Sequence, residues 1–123
     1  MLVLFVDDDP EDYETFCEAL RYSNAKAKCL HSFDGQEALS VLNSLIVNPD
    51  YIFLDVNMPK MGGKECLIKI KADPDLKDIP VIVYSTTSTQ KEIQIFKELG
   101  AEEFVVKPTA FLKLVETLNK LLL

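Results

Sequence analysis

The chain has 123 residues, 48% of them hydrophobic and 27% charged, with a formal net charge of −7. That length fits one domain with a core large enough to need no staples. The acidic balance, with no Lys/Arg cluster to neutralise phosphates, argues against a nucleic-acid surface, and no apolar run approaches the ~20 residues of a membrane span.

The first predicted strand is Leu2–Val6. It is short, and three acids, Asp7-Asp8-Asp9, come directly after it, which does not suit a secretory leader. The expected compartment is the cytoplasm. Asp9-Pro10-Glu11-Asp12 opens the first helix, with an N-cap acid and proline at its first position. Tyr13, Phe16, Cys17 and Leu20 give that helix one buried face. A weaker strand over Lys26–His31 is less apolar and belongs near the sheet edge. His31, at its end, reads as a surface imidazole. Asp34-Gly35-Gln36-Glu37 caps a second helix, whose apolar face is Ala38, Leu42, Leu45 and Ile46.

Asn48-Pro49-Asp50 breaks the chain before Tyr51-Ile52-Phe53-Leu54-Asp55. Four unalternating apolar residues predict a strand covered on both faces, as in a parallel sheet. An acid at its carboxyl end stands where open α/β sheets place their chemistry. Met58-Pro59 and Gly62-Gly63 form the loop beyond, and Cys66, Leu67 and Ile70 mark a third helix that Asp73-Pro74 ends. Ile79–Ser85 is the fourth strand. Thr89 with Glu92 caps the fourth helix, Gly100 stops it, and Ile93, Phe96 and Leu99 face inward. A short fifth strand, Glu103–Val106, leads to Lys107-Pro108. Thr109 then caps a last helix through Phe111, Val115, Leu118 and Leu122. Leu114 and Leu121 add a second apolar stripe, equally readable as a wide core face or as a partner surface. Cys17, Cys29 and Cys66, odd in number and without a C-x-x-C pair, read as small buried residues.

Alternating strands and helices predict parallel β/α units in an open, doubly wound sheet. The strand ends then converge: Asp7, Asp8 and Asp9 from the first, Asp55 from the third, Ser85-Thr86-Thr87 from the fourth and Lys107 from the fifth. Carboxylates gathered in one cleft need counter-charge. Lys107 supplies one unit, and the oxygen-only donor set fits Mg²⁺ (or Mn²⁺) better than zinc. Such a carboxylate nucleophile is suited to accept a phosphoryl group, with Ser85 and the Thr86 backbone N–H placed to hold a phosphoryl oxygen.

Val6-Asp7-Asp8-Asp9-Pro10, Leu54-Asp55-Val56-Asn57-Met58-Pro59, Gly62-Gly63, Ser85 and Phe104-Val105-Val106-Lys107-Pro108 together resemble the response-regulator receiver domain, the CheY-like flavodoxin-like fold. The resemblance spans residues 1–123 and implies a five-stranded (βα)5 sheet in the order 2-1-3-4-5, with no output domain. It implies Asp55 as phosphoacceptor, with Asp8 binding metal directly, Asp7 through water, and Asn57 through its backbone carbonyl. Lys107 would pair with the phosphoryl group, and its bond to Pro108 is often cis in such proteins. Ser85 and Phe104 occupy the switch positions, and Phe104, lacking a hydroxyl, would signal by packing alone. The implied partners are a histidine kinase or histidine phosphotransfer protein and an unidentified target. The surface of the fourth helix, fifth strand and fifth helix would signal, and is the face for a homodimer. The expected role is a two-component or phosphorelay receiver, not a turnover enzyme.

Three rivals remain. An Asp-dependent phosphohydrolase would use Asp7 and Asp9 in a D-x-D-x-T/V motif, but Glu11 occupies the Thr/Val position. A flavodoxin-like carrier would need a hydroxyl- and glycine-rich loop where three acids stand. A phosphate-independent binding receiver is disfavoured by intact Asp8, Asp55 and Lys107.

Overall fold

The computed structural model describes residues 1–122. Its elements run β1 (Leu2–Val6), α1 (Pro10–Ser23), β2 (Lys28–Ser32), α2 (Gly35–Ser44), β3 (Tyr51–Leu54), α3 (Gly63–Ala72), β4 (Val81–Ser85), α4 (Gln90–Glu98), β5 (Glu103–Val106) and α5 (Phe111–Leu121). All strand pairs are parallel, in the order β2-β1-β3-β4-β5. This is the expected doubly wound α/β sheet, with the weak strand β2 at an edge.

The two faces of the sheet build two cores. Leu4, Val6, Ile52, Leu54, Val81 and Val83 meet Ala38, Leu42, Leu67, Ile70 and Phe96 from α2, α3 and α4. Val3, Phe5, Phe53, Ile82 and Tyr84 meet Phe16, Ala19, Leu20, Leu114, Val115 and Leu118 from α1 and α5. Successive residues of a strand point to opposite faces, so burial on both sides demands the unbroken apolar runs seen in β1, β3 and β4. Each such side chain contributes roughly 1.5–3 kcal/mol by leaving water.

Three helix starts match the predicted caps. Asp9 accepts from the Glu11 N–H at 2.9 Å, Asp34 from the Glu37 N–H at 2.8 Å, and Thr89 from the Glu92 N–H at 3.1 Å. Gly100 takes φ 107°, a left-handed stop that glycine adopts without steric cost. Replacing Asp34 with Ala should lower stability by about 1 kcal/mol, by loss of its cap bond. Urea unfolding measures this, and an unchanged midpoint would mean the Glu37 N–H finds another acceptor.

Several boundaries differ from expectation. β2 begins at Lys28, because Asn24 and Ala27 close a turn over the preceding residues (Ala27 N–H to Asn24 C=O, 3.0 Å). β4 begins at Val81, since the Ile79 N–H turns back to the Leu76 carbonyl. α2 stops at Ser44, so Leu45 lies past its end and Ile46 is fully exposed rather than packed inward. The chain there is already turning toward β3, pinned by the Asn48 side chain on the Asp75 carbonyl at 2.8 Å. α5 begins after Ala110 with no side-chain cap, so Thr109 does not cap it. Leu114 is buried and Leu121 packs on the same core, which makes their stripe a wide core face; Leu112 is the exposed leucine of that helix. Cys17 and Cys66 are buried, Cys29 is half-buried, and none is in a disulfide. All peptide bonds among the described residues are trans, Lys107–Pro108 included. No helix among the described residues is long and apolar enough to cross a membrane.

Candidate functional site

Backbone pairing continues one residue past three of the strands and fixes the residue at each of those ends. The Asp7 N–H donates to the Ser32 carbonyl (3.0 Å), the Asp55 N–H to the Val6 carbonyl (2.9 Å), and the Lys107 N–H to the Ser85 carbonyl (2.7 Å). Asp7, Asp55 and Lys107 are thereby delivered to one end of the sheet with their backbone N–H groups already satisfied. Behind Asp55, the start of α3 comes very close. A Cβ on Gly63 would lie 2.3 Å from the Asp55 carbonyl oxygen, so only glycine fits this approach of helix to strand end.

Carboxylate oxygens of Asp7, Asp8 and Asp55 lie within 4.8 Å of one another. Asp7 is buried, Asp55 half-buried and Asp8 exposed. The Lys107 ammonium donates to Asp7 at 2.7 Å and to Asp12 at 2.8 Å, and stands 3.9 Å from Asp55. It also lies 5.5 Å from the centre of the Tyr84 ring. Asp7 further accepts the Asp9 N–H at 2.9 Å, and Asp55 accepts the Val56 N–H at 2.8 Å.

Burial raises the Asp7 carboxyl above its ordinary range despite the bonds from Lys107 and the Asp9 N–H. Burial, then the neighbouring Asp7 charge, pushes Asp55 up to about 6. Burial works against the Lys107 charge, but hydrogen bonds to Asp12 and Asp7, with Asp55 nearby, outweigh it and hold the ammonium more firmly protonated than usual. The cluster sets the carboxylates of Asp7, Asp8, Asp12 and Asp55 against the single ammonium of Lys107. An all-oxygen donor set with one open, exposed carboxylate suits a hard divalent cation.

The remaining predicted residues sit around this centre. Ser85 is buried at the end of β4, and its Oγ accepts the Thr87 N–H at 3.4 Å. Thr86 and Asn57 are exposed at the mouths of their loops. Phe104 is half-buried on β5, its ring edge-on to Phe96 of α4 at 5.8 Å. Asp9 serves as a helix cap.

Two participants are not apparent from the sequence. Asp12 reads along the chain as a first-turn acid and nothing more, yet it shares Lys107 with Asp7; its place three residues after the cap, on the turn facing the strand ends, is the one signal for it. His31 is not a surface imidazole. Its Nε2 lies 2.8 Å from the Asp7 carbonyl, which can only accept, so that nitrogen carries the proton. Its ring stacks on Tyr13 at 4.1 Å and tilts against Phe33 at 4.2 Å. The pairing of β1 with β2, which sets Phe5 opposite His31, brings the ring beside the acid loop.

The family model for the response regulator receiver domain matches residues 3–119. This chain belongs to the response regulator receiver family. The two-component response regulator ORR3 of Oryza sativa subsp. indica is 38% identical over 106 residues, covering 86% of this chain and 79% of that protein. The crystal structure of the phosphorylated cyanobacterial phytochrome response regulator RcpA superposes with a TM-score of 0.87 at 31% identity, over 97% of this chain and 89% of that one. The Mn²⁺-bound form of response regulator Rcp1 gives 0.84 at 29% identity, with the same coverage. The strand order and the acid cluster thus belong to a receiver domain of two-component systems, and the cluster fits the divalent-metal binding typical of such receivers.

Proposed function

We propose that this receiver accepts a phosphoryl group on Asp55 and signals by a change in its surface. The observation that carries the reading is the placing of Asp55, 3.9 Å from the Lys107 ammonium and within 4.8 Å of the Asp7 and Asp8 carboxylates. With its carboxyl at about 6, Asp55 is ionised at neutral pH and nucleophilic. One Asp55 oxygen forms the new bond to phosphorus as the donor's bond to phosphorus breaks. From a histidine donor the electron pair returns to the imidazole nitrogen, which then takes a proton; from an acyl phosphate it leaves on a carboxylate. Lys107 and the Ser85 hydroxyl, with the Thr86 N–H, hold the charge on the transferred oxygens. Mg²⁺ held by Asp8, Asp7, Asp55 and the Asn57 carbonyl would neutralise the remaining charge.

The donor is a histidine kinase or a histidine phosphotransfer protein, and the chain turns over no external substrate. Phosphorylation adds about two negative charges beside Ser85. Ser85 moves toward them, and Phe104, packed edge-on to Phe96 before phosphorylation, fills the space that Ser85 vacates, altering the face of α4, β5 and α5 that a partner reads. That partner gains only by its preference for the altered face.

Intact-mass measurement after incubation with Mg²⁺ and acetyl phosphate should show one phosphoryl adduct, absent when the metal is chelated. No adduct from acetyl phosphate or from a panel of phosphohistidine donors would overturn the reading in favour of a phosphate-independent binding receiver.

A further inference from the structure

Asp12 has no part in the acceptor chemistry, yet it holds one of the pocket's shortest contacts. Lys107 gives it a hydrogen bond at 2.8 Å, matching the 2.7 Å bond to Asp7, while Asp55 lies beyond bonding distance at 3.9 Å. Both bonded acids flank the start of α1, so the ammonium is drawn toward that helix and away from β3. We propose, building on Asp55 as phosphoacceptor, that Asp12 is a positioning residue that holds Lys107 back from Asp55 and thereby limits its rate of phosphorylation.

The two bonded acids are not equivalent. The Asp7 side chain is 1% exposed, and stripping the cation from it would leave a buried, unpaired charge. The Asp12 side chain is 39% exposed, and water can replace the ammonium there at small cost. To reach charge-assisted bonding distance of an oxygen at Asp55, about 2.8 Å, Nζ must close a gap of roughly an ångström. Asp12 is the ligand it releases to do so. The hold is modest because the pair is partly solvated, which suits a brake that a phosphodonor can overcome.

The test compares rates of adduct formation from acetyl phosphate with Mg²⁺ in the full chain. Asp12→Asn should phosphorylate about fivefold faster, the gain expected from weakening a partly exposed ion pair. Asp12→Glu, which keeps the carboxylate, should return the rate to within about twofold of the unsubstituted chain. Glu11→Gln removes a charge from the same helical turn without touching Lys107, and should leave the rate alone. An Asp12→Asn rate equal to or below the unsubstituted rate overturns the proposal. So does an equal acceleration in Glu11→Gln, which would mean general relief of repulsion toward an anionic donor. A chain that forms no adduct at all would take down the acceptor reading along with this one, whereas normal adduct formation with an unmoved Asp12→Asn rate removes this one alone.

Discussion

Asp55→Asn is expected to take up no phosphoryl group and, at neutral pH, to be more stable than the unsubstituted chain. The stability gain comes from the electrostatics of the pocket. Asp55 has its carboxyl pushed from 3.8 to about 6 by burial and by Asp7. The folded state therefore binds this proton more tightly than the unfolded chain does. That binding favours folding fully below pH ~3.8 and is lost as pH rises through ~6. With about 1.4 kcal/mol for each pH unit between the two values, the ionised carboxylate costs the fold on the order of 3 kcal/mol at pH 7. Asparagine removes the charge and keeps an oxygen for the Val56 N–H. Urea unfolding should show the variant ahead by about 2–3 kcal/mol at pH 7, with the gap shrinking toward pH 4. Mg²⁺ should narrow the gap at pH 7, because it stabilises the chain whose acid cluster binds it better. A variant less stable than the parent at pH 7, or a gap independent of pH, would contradict this account.

Gly63→Ala is expected to damage both stability and phosphorylation. The backbone φ at Gly63 is ordinary, so the cost is one of space. The added methyl carbon would lie 2.3 Å from the Asp55 carbonyl oxygen, 3.0 Å from the Val56 Cα and 3.1 Å from the Asp55 carbonyl carbon. All three are backbone atoms and none can rotate aside. Either α3 withdraws, opening the core around Leu67 and Ile70, or the end of β3 shifts and carries Asp55 with it. Overpacking of this kind costs about 1–3 kcal/mol or more, and a displacement of an ångström at a reacting group can cost about a hundredfold in rate. Gly62→Ala is the control, since its closest contact would be a single oxygen at 3.2 Å. Thermal unfolding and phosphorylation rates should separate the two variants; equal behaviour would show that the helix yields freely.

The fold is legible in the sequence where local chemistry and tertiary demand agree. Tyr51–Leu54 has to be apolar without alternation because Phe53 and its two neighbours serve opposite cores, and that pattern is visible along the chain. The caps at Asp9, Asp34 and Thr89 depend on residues two or three positions away and are equally readable. The unreadable features depend on distant partners. Thr109 has the chemistry of a cap, but the chain leaving Pro108 places Ala110 at the junction instead. Ile46 continues the helical spacing of α2, but the helix has already ended at Ser44. Asp12 and His31 acquire their places only when Lys107 and Asp7 arrive from other strands. The convergence of Asp7, Asp8, Asp55 and Lys107 is foreseeable from parallel strands alone. The second bond of that ammonium, to Asp12, is not.

Lys107 is separated from Asp7 by 100 positions and from Asp12 by 95. During synthesis from the amino terminus, the acids of β1, α1 and β3 leave the ribosome well before the cation that balances them. A nascent chain ending within α4 can lay down β1, β2 and β3, but it carries the acid cluster unrelieved and lacks the strand beside β4. Closing the lysine over the cluster thus coincides with β5 joining the sheet, so charge balance and a five-stranded sheet arrive together. An incomplete chain cannot present a finished pocket to a phosphodonor.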